Sequence, residues 1–295
     1  MIIDSHTHVF PPTVRDRRDA LLATEPAFAA IYTHRDAAMA TAGELLASMD
    51  GAGVDRSIMC NFAWRDETLI DETNEYILGA AARSGGRLMP FVSVHLAGGR
   101  RHGGVETEEA SAAISGDPRA KIRMLASAGA RGIGELRPSD SGYDLANSDE
   151  ADVLAWAASA FDLPLLFHAS EPVGHTYAGK EGLPIGALYA FAKAAPGATI
   201  IAAHWGGGLP FYALMPEVRA ALANVYVDTA ASHLLYEPAV YRRVIDEIGV
   251  RKVLWGSDFP LTTQALALAR TQDAGLTAGE LAAITGGNAG ELLGI

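Results

Sequence analysis

The run Ile200-Ile201-Ala202-Ala203-His204 has the pattern that decides the fold of this chain. Four apolar residues in succession, with a polar residue only at the end, are typical of a strand that is buried on both faces. Residues 88–94 form a second run of this kind. Strands buried on both faces occur in parallel sheets covered by helices, whereas an antiparallel sandwich alternates more cleanly. The run therefore indicates an α/β protein with a parallel sheet.

Similar runs recur along the chain, and segments with helical spacing and cap signals separate them. Asp117-Pro118 predicts a helix start because an N-cap residue precedes proline at the first helical position, and Glu237-Pro238 repeats this arrangement. Gly249 predicts the end of the second of these helices. Eight βα units favour a closed (β/α)8 TIM barrel over an open doubly wound sheet. The predicted strands are residues 2–8, 54–60, 88–94, 130–136, 164–168, 199–204, 224–228 and 252–258.

The composition is that of a globular protein, which we expect to form a single domain over residues 1–295. Hydrophobic residues make up 49% of the chain and charged residues 20%, which is enough apolar material for a large core and excludes disorder. The net charge of −12 argues against nucleic acid as a partner. We expect no membrane span, because prolines and glycines interrupt the longest stretch without charged residues.

The chain also lacks the signals of several other classes. No GxGxxG or P-loop pattern follows a strand, which lowers the probability of nucleotide binding. The single cysteine, Cys60, cannot form an intrachain disulfide and favours a reducing, cytoplasmic setting. Two stretches, residues 10–35 and 97–116, are longer than a barrel connection needs and are predicted as long loops.

Histidines and carboxylic acids lie at the ends of six predicted strands. In a parallel barrel these ends gather at one mouth, and imidazoles and carboxylates are ligands for divalent metals such as zinc. Two of the histidines are two residues apart on one strand and share a face, so they are able to chelate one ion. The residues at the predicted mouth are His6, His8, Glu135, His168, His204, Asp228 and Asp258.

Each of these residues, taken singly, also has a structural interpretation. Asp258 is as well suited to capping the turn before Pro260 as to binding a metal, and Glu135 to an ion pair with Arg137. The strand-end histidines are able to bond a backbone carbonyl, as core histidines do. Asp228 either orients a histidine through its second ring nitrogen or caps a loop. Near the mouth, Arg137 is a candidate for holding a substrate carboxylate, and Trp205 for lining the pocket.

Several of these motifs together resemble the amidohydrolase superfamily, and more narrowly its "amidohydrolase 2" branch of metal-dependent hydrolases and decarboxylases. They are Asp4-Ser5-His6-Thr7-His8, Gly134-Glu135, the single histidines His168 and His204, Trp255-Gly256-Ser257-Asp258-Phe259-Pro260 and the closing segment from Ile284 to Gly294. The resemblance runs from Met1 to Ile295. It implies a distorted (β/α)8 barrel.

The resemblance also implies a metal site. His6, His8, His168 and Asp258 would be ligands, or lie close to the ligands, of a divalent ion, most often zinc. His204 would bind a second ion or hydrogen-bond the substrate. Relatives with a binuclear site often carry a carboxylated lysine at the end of strand four, where this chain has Glu135. A glutamate is also able to bridge two ions, so one ion and two ions both stay open.

These features lead to a hypothesis of metal-dependent hydrolysis of a small-molecule lactone, amide or ester. The ion would lower the pKa of a bound water toward about 7, Asp258 would take the proton, and His204 would donate to the developing oxyanion. Two alternatives stay open: non-oxidative decarboxylation of an unsaturated or aromatic acid, and a non-catalytic barrel that binds a metal or ligand. A homo-oligomer is possible.

Overall fold

The computed structural model describes residues 1–96, 117–145, 148–180 and 182–295. The predicted loop at 97–116 lies outside the described residues. Eight parallel strands form one sheet in chain order, each hydrogen-bonded to the next. This order confirms the TIM barrel. The strands are β1 (Ile3–His8), β2 (Arg56–Cys60), β3 (Leu88–Val92), β4 (Gly132–Leu136), β5 (Leu165–Phe167), β6 (Ile200–Ala202), β7 (Val225–Asp228) and β8 (Val253–Leu254).

Irregular backbone after β8 closes the barrel against β1. The regular part of β8 has two residues, although the sequence predicts a strand over 252–258. Ser5 N nevertheless donates to Trp255 O over 2.8 Å, Asp258 N to His6 O over 3.0 Å, and His8 N to Phe259 O over 2.7 Å. The chain from 255 to 259 therefore continues the wall of the barrel without strand geometry, which is the distortion that the resemblance implies.

Helices cover the outside of the barrel. The connection after β1, predicted as a loop over 10–35, contains three short helices instead. The α-helices of the described residues are α1 (Pro12–Asp16), α2 (Arg18–Thr24), α3 (Pro26–Tyr32), α4 (Ala42–Ala52), α5 (Glu67–Arg83), α6 (Pro118–Ser127), α7 (Pro138–Ser141), α8 (Ser148–Phe161), α9 (Ile185–Ala194), α10 (Ala203–Gly206), α11 (Pro216–Ala221), α12 (Ser232–Leu235), α13 (Ala239–Ile248), α14 (Gln264–Gln272), α15 (Ala278–Ala282) and α16 (Asn288–Leu293). Three 3-10 turns (Leu209–Leu214, Leu222–Asn224, Val250–Lys252) and a π-turn (Ala283–Gly287) complete them.

The two predicted helix starts have different outcomes. Asp117 is the N-cap of α6, and its side chain accepts a hydrogen bond from Arg119 N. At α13, Pro238 occupies the N-cap position, and no side chain caps the helix. The helix therefore begins one residue later than Glu237-Pro238 predicts. Gly249 ends α13 at φ 86°, as expected.

The apolar core has three parts. One fills the barrel interior with side chains from six strands, and α16 closes the end of the barrel opposite the mouth by adding Ala289 and Leu293 to this cluster. A second, larger cluster lies between the strands and the outer helices. The third packs α1 to α3 against Phe62 and Trp64. Among the described residues, no helix is both long and apolar enough to cross a membrane.

Two irregularities in the ladder turn polar side chains toward the barrel axis. Between paired positions β1 advances three residues, from Asp4 to Thr7, while β2 advances two. Such a bulge changes which side of the strand faces inward. As a result Ile3 packs in the barrel interior, and His6 and His8 reach the same interior farther along the strand.

The second irregularity lies in β4. This strand advances three residues from Ile133 to Leu136 while β5 advances two. Both of these residues pack in the outer cluster, so the extra residue leaves Glu135 facing inward. Gly134 makes the bulge possible, because its φ is +151° and a Cβ there would lie 2.6 Å from Leu166. Only glycine fits at this position.

Candidate metal centre

Seven histidines and carboxylic acids converge at the mouth of the barrel, as the sequence predicts. All are at most 7% exposed. Five of them lie in β1, in β4, at the last residue of β7, or immediately after β5. The other two, His204 and Asp258, lie past the ends of β6 and β8, in backbone with φ of 55° and 63°. The members are His6, His8, Glu135, His168, His204, Asp228 and Asp258.

Four donor atoms from three strands lie close together at the base of the mouth. His6 Nε2 and His8 Nε2 are 3.1 Å apart. Asp258 Oδ1 lies 3.6 Å from the first nitrogen and 3.3 Å from the second. Glu135 Oε2 lies 3.9 Å and 3.6 Å from the same two atoms. Two imidazole nitrogens and two carboxylate oxygens thus face a common point.

These separations fit a divalent ion. Ligand atoms at about 2.1 Å from a tetrahedrally coordinated zinc lie about 3.4 Å from one another, and the measured separations run from 3.1 to 3.9 Å. Nitrogen and carboxylate oxygen are ligand types of zinc and of other first-row ions. The donor set therefore has both the chemistry and the spacing of a metal centre.

The second oxygen of Glu135 faces a different pair of histidines. Oε1 lies 2.8 Å from His168 Nδ1 and 3.6 Å from His204 Nε2. The other ring nitrogen of His168 is 2.9 Å from Ser170 Oγ. Donor atoms of His6, Glu135 and His204 all lie within 4.8 Å of one another. Glu135 thus stands between two groups of imidazoles, in the position of a bridging carboxylate.

Asp228 orients the ring of His6 and also binds the backbone of His204. Its Oδ2 lies 2.8 Å from His6 Nδ1, so this ring nitrogen carries the hydrogen and Nε2 faces the centre. Its Oδ1 accepts hydrogen bonds from His204 N, over 2.9 Å, and Ala230 N, over 3.0 Å. His204 Nδ1 in turn lies 3.1 Å from Ala230 O. Such partners on the second ring nitrogen are usual for metal-binding histidines.

The electrostatics favour a cation at the centre. Burial lowers the pKa of His6, but the carboxylates of Asp228, Glu135 and Asp258 together raise it to about 10. Burial raises the pKa of Asp258, but the hydrogen bond from His8 and the nearby His6 lower it well below its usual range. Burial likewise raises the pKa of Glu135, but the hydrogen bonds from His168 and His204 and the nearby His6 bring it well below its usual range. The carboxylates therefore stay ionised and hold positive charge next to them.

The two remaining histidines differ from each other. Burial and the charge of Arg137 lower the pKa of His168 to about 3, so this ring is neutral. Burial lowers the pKa of His204, but its contact with Glu135 and the charge of Asp258 raise it above the ordinary value. His204 is therefore able to carry a proton on Nε2, whereas His168 offers a neutral ring.

A cavity of about 510 Å³ lies above the metal centre. This volume is in the range of small-molecule sites. One wall is apolar and contains Tyr32 and Phe62, and the ring of Phe62 stacks on His8 with centroids 4.6 Å apart. Arg137 lies beside this face, with its Cζ 5.8 Å from the centroid of the Phe62 ring; its Nε donates to Asp140 over 2.5 Å and its Nη2 donates to Gly179 O over 2.8 Å. The pocket thus combines an apolar face with one buried cation.

Trp205 does not line this pocket, which corrects its expected role in substrate binding. The indole is fully buried, Nε1 donates to Ser232 Oγ over 2.9 Å, and the ring packs edge-on against Tyr241 with centroids 4.8 Å apart. It points outward because α10 takes the chain out of strand geometry, with φ of 59° at Trp205. Its role is structural.

Asp4 is a buried residue for which the sequence analysis assigns no function. Its carboxylate accepts hydrogen bonds from the backbone of His6 and of Ser257, and from the side chains of Ser257 and Gln264. Burial raises its pKa to about 6. Because Ser257 precedes Asp258, Asp4 fixes the closing segment to β1. The signal in the sequence is an acidic residue two positions before a strand histidine.

A parallel barrel with imidazoles and carboxylates around one point at its C-terminal mouth belongs to the class of metal-centre barrel enzymes. The sequence matches the model of a family described as amidohydrolase over residues 3–295. The chain therefore belongs to the amidohydrolase family and is an enzyme of the amidohydrolase type. No curated protein matches it significantly.

Solved structures share the fold at low sequence identity. The 5-carboxyvanillate decarboxylase from Sphingomonas paucimobilis is 17% identical, with a TM-score of 0.75, covering 100% of this chain and 99% of that one. The enzyme of the same name from Novosphingobium aromaticivorans, with bound manganese and a nitrobenzoic acid, is 14% identical, with a TM-score of 0.77, covering 100% and 97%. A probable 2-pyrone-4,6-dicarboxylic acid hydrolase from Acinetobacter baumannii, with citric acid bound, is 17% identical, with a TM-score of 0.62, covering 100% and 99%.

Proposed function

We propose that this protein is a metal-dependent hydrolase that cleaves an ester, lactone or amide bond of a small molecule. The observation that carries the proposal is a pair of histidine nitrogens 3.1 Å apart, each 3.3 to 3.9 Å from one oxygen of Asp258 and one of Glu135, at the base of a cavity of about 510 Å³. A centre at the base of such a pocket is placed to contact the reacting part of a bound substrate while the walls hold the rest of it.

His6, His8, Asp258 and Glu135 Oε2 would hold the first ion. His168, His204 and Glu135 Oε1 would hold a second ion where one binds. We propose zinc, because a set of imidazoles and carboxylates suits it, while manganese is the ion bound in the structure of one relative. The ion, when bound, acts as a Lewis acid and lowers the pKa of water toward about 7.

Asp258 is the residue best placed to move a proton. Its Oδ1 faces the two histidines of β1 and the residue lines the pocket. Its ionised carboxylate accepts a proton from the attacking water and returns it to the leaving group. His204 lies across the same mouth and, when protonated at Nε2, donates a hydrogen bond to the oxygen that gains negative charge. The side chain of Asp228 holds His204 in place by accepting a hydrogen bond from the backbone N–H of His204.

Arg137 would bind a carboxylate of the substrate. The guanidinium lines the pocket on the side of His168, and hydrogen bonds to Asp140 and Gly179 O fix its orientation. Charge-assisted hydrogen bonds to a fixed arginine are among the strongest that a protein offers an anion. The aromatic side chains of Tyr32 and Phe62 beside it suit a flat ring, so a cyclic carboxylic acid derivative matches the pocket.

Decarboxylation of an aromatic or unsaturated acid is the second candidate. It is favoured by the pairing of Arg137 with the apolar wall at Tyr32 and Phe62, and by the names of two structural relatives. Hydrolysis is preferred because Glu135 adds negative charge to the centre that a substrate carboxylate would have to approach. An ionised Asp258 is also suited to accept a proton rather than to donate one to a ring carbon.

The test is a panel of lactones, esters, amides and aromatic acids, offered to protein loaded with Zn²⁺ or Mn²⁺. Proton release reports hydrolysis of lactones and esters, formation of a free amine reports hydrolysis of amides, and carbon dioxide release reports decarboxylation. We expect D258N to bind the metal more weakly, since its amide oxygen is a neutral ligand, and to lose 100-fold or more in turnover when saturated with metal, in the range of positioned acid–base groups. Undiminished turnover in D258N would refute the role of Asp258, and carbon dioxide release would establish the second candidate.

A further inference from the structure

The two metal-facing histidines of β1 have different partners on their second ring nitrogen. His6 Nδ1 is held by the carboxylate of Asp228 at 2.8 Å. His8 Nδ1 instead faces the sulfur of Cys60 at 3.7 Å, and within the described residues this is its one polar contact. A metal-binding histidine needs a partner here, because the partner decides which nitrogen carries the hydrogen.

The register of the barrel fixes this contact. His8 and Cys60 are directly paired residues of β1 and β2, so their side chains lie side by side on the inner face. Cys60 Sγ also donates to Thr7 O over 3.3 Å. The thiol hydrogen is therefore engaged with the backbone, and the lone pairs of the sulfur are left to accept from His8 Nδ1–H.

Cys60 Sγ lies within 4.8 Å of a ring nitrogen of both His6 and His8, but its contacts place the sulfur on the Nδ1 side of His8. Its side chain is fully buried. The sulfur faces Nδ1 of His8, whereas the other donor atoms of the centre surround Nε2.

We propose that Cys60 is a positioning residue that accepts a hydrogen bond from His8 Nδ1–H and thereby presents the lone pair of His8 Nε2 to the metal. This inference rests on the proposed metal centre. It makes His8 a ligand supported by a weak sulfur acceptor, in contrast to His6, which is supported by a carboxylate.

Two substitutions of similar size distinguish the positioning of His8 from packing alone. The two roles of Cys60 predict opposite results for them. C60S keeps an acceptor beside His8 but puts a hydroxyl among the apolar side chains that surround Cys60, among them Ile58 and Phe91. C60V keeps the apolar volume and removes the acceptor. If Cys60 only packs, C60V behaves like the native protein and C60S is the damaged variant.

The experiment measures the affinity of native protein, C60S and C60V for Zn²⁺ by competition with a chelator, and for Mn²⁺ by the signal of the free ion. Thermal unfolding of the metal-free proteins reports packing separately. We expect C60V to bind each ion at least tenfold more weakly, which is the usual cost of losing such a partner, and C60S to stay within about threefold of native. If C60V does not fold, C60A takes its place.

A second readout does not depend on activity. In zinc-loaded protein with ¹⁵N-labelled histidine, native and C60S should show His8 Nδ1–H with the chemical shift of a hydrogen-bonded ring N–H, and C60V should lose that shift. Equal affinity in all three proteins, equal loss in both variants, or loss confined to C60S would overturn the proposal. Failure of the native protein to bind either ion would instead overturn the metal centre on which the proposal rests.

Discussion

Replacement of Asp228 by asparagine should abolish most of the metal affinity while leaving the fold intact. The fully buried carboxylate accepts from His6 Nδ1 with one oxygen and from His204 N and Ala230 N with the other. In D228N the amide oxygen keeps the two backbone hydrogen bonds. The amide nitrogen then faces His6 Nδ1, which must act as acceptor, so that the hydrogen of the ring moves to Nε2 and blocks the metal.

The expected loss in D228N is 10- to 100-fold in metal affinity, or about 1.4 to 2.7 kcal/mol. D228A should lose the same affinity and also leave two buried N–H groups without a partner, at about 1 to 3 kcal/mol each. Both variants remove the charge beside His6. The difference of about 2 to 6 kcal/mol between their free energies of unfolding therefore measures the two backbone hydrogen bonds.

The assays for this prediction are chelator competition with Zn²⁺ and denaturant unfolding of the metal-free proteins. The control is D246N, which removes a carboxylate from the exposed face of α13, where Asp246 is 3.6 Å from Arg242. It should change neither quantity by more than about 0.5 kcal/mol. Native metal affinity in D228N would refute the orientation of His6 by Asp228, and equal stability of D228N and D228A would refute the contribution of the two backbone hydrogen bonds.

Three further predictions follow from the same site. Metal affinity should rise about tenfold per pH unit between pH 6 and 9. The pKa of His6 is about 10, because Asp228, Glu135 and Asp258 raise it against the effect of burial, so one proton must leave before the ion binds. Titration in weakly buffered solution should detect that proton, and a flat pH profile would contradict the prediction. R137M should weaken the binding of benzoate-like carboxylates about tenfold or more and leave the binding of neutral analogues unaffected, as calorimetry would show. Equal losses of affinity for carboxylates and neutral analogues would argue against binding of a substrate carboxylate by Arg137. W205F should lower the free energy of unfolding by more than the ~1 kcal/mol of the lost bond to Ser232, because the smaller ring also leaves a cavity. We expect KM to stay unchanged, and a raised KM would return Trp205 to the pocket.

The barrel and the members of its mouth were predictable because both depend on periodicity. Runs such as residues 200–204 carry the signal of a strand buried on both faces, and the order of βα units determines which ends meet. A polar residue that closes an apolar run, as Glu135 and His168 do, then marks the mouth. This argument needs no information on distances.

Side-chain direction in the βα connections was not predictable in the same way. Trp205 follows a strand-end histidine and was expected in the pocket, but its direction depends on the backbone dihedral angles of α10 rather than on strand alternation. The partners of the ring nitrogens, Ala230 O and Cys60 Sγ, come from pairing between distant segments. Neither has a composition signal in the local sequence.

The positions where strand prediction fails coincide with the chemistry of the site. Strands were expected to reach His204 and Asp258, yet the chain leaves strand geometry before both and holds them at φ of 55° and 63°, with Ala231 beside them at 55°. Non-glycine residues in this region cost free energy and persist only where the surroundings fix them. Here the fixing contacts are the two hydrogen bonds to Asp228 and the bond from Asp258 N to His6 O. A regular strand would send alternate side chains to opposite faces. These turns instead direct Asp258 and His204 toward the centre that the histidines of β1 also face. The departure from strand geometry is therefore the means by which two short strands deliver their functional residues to the centre.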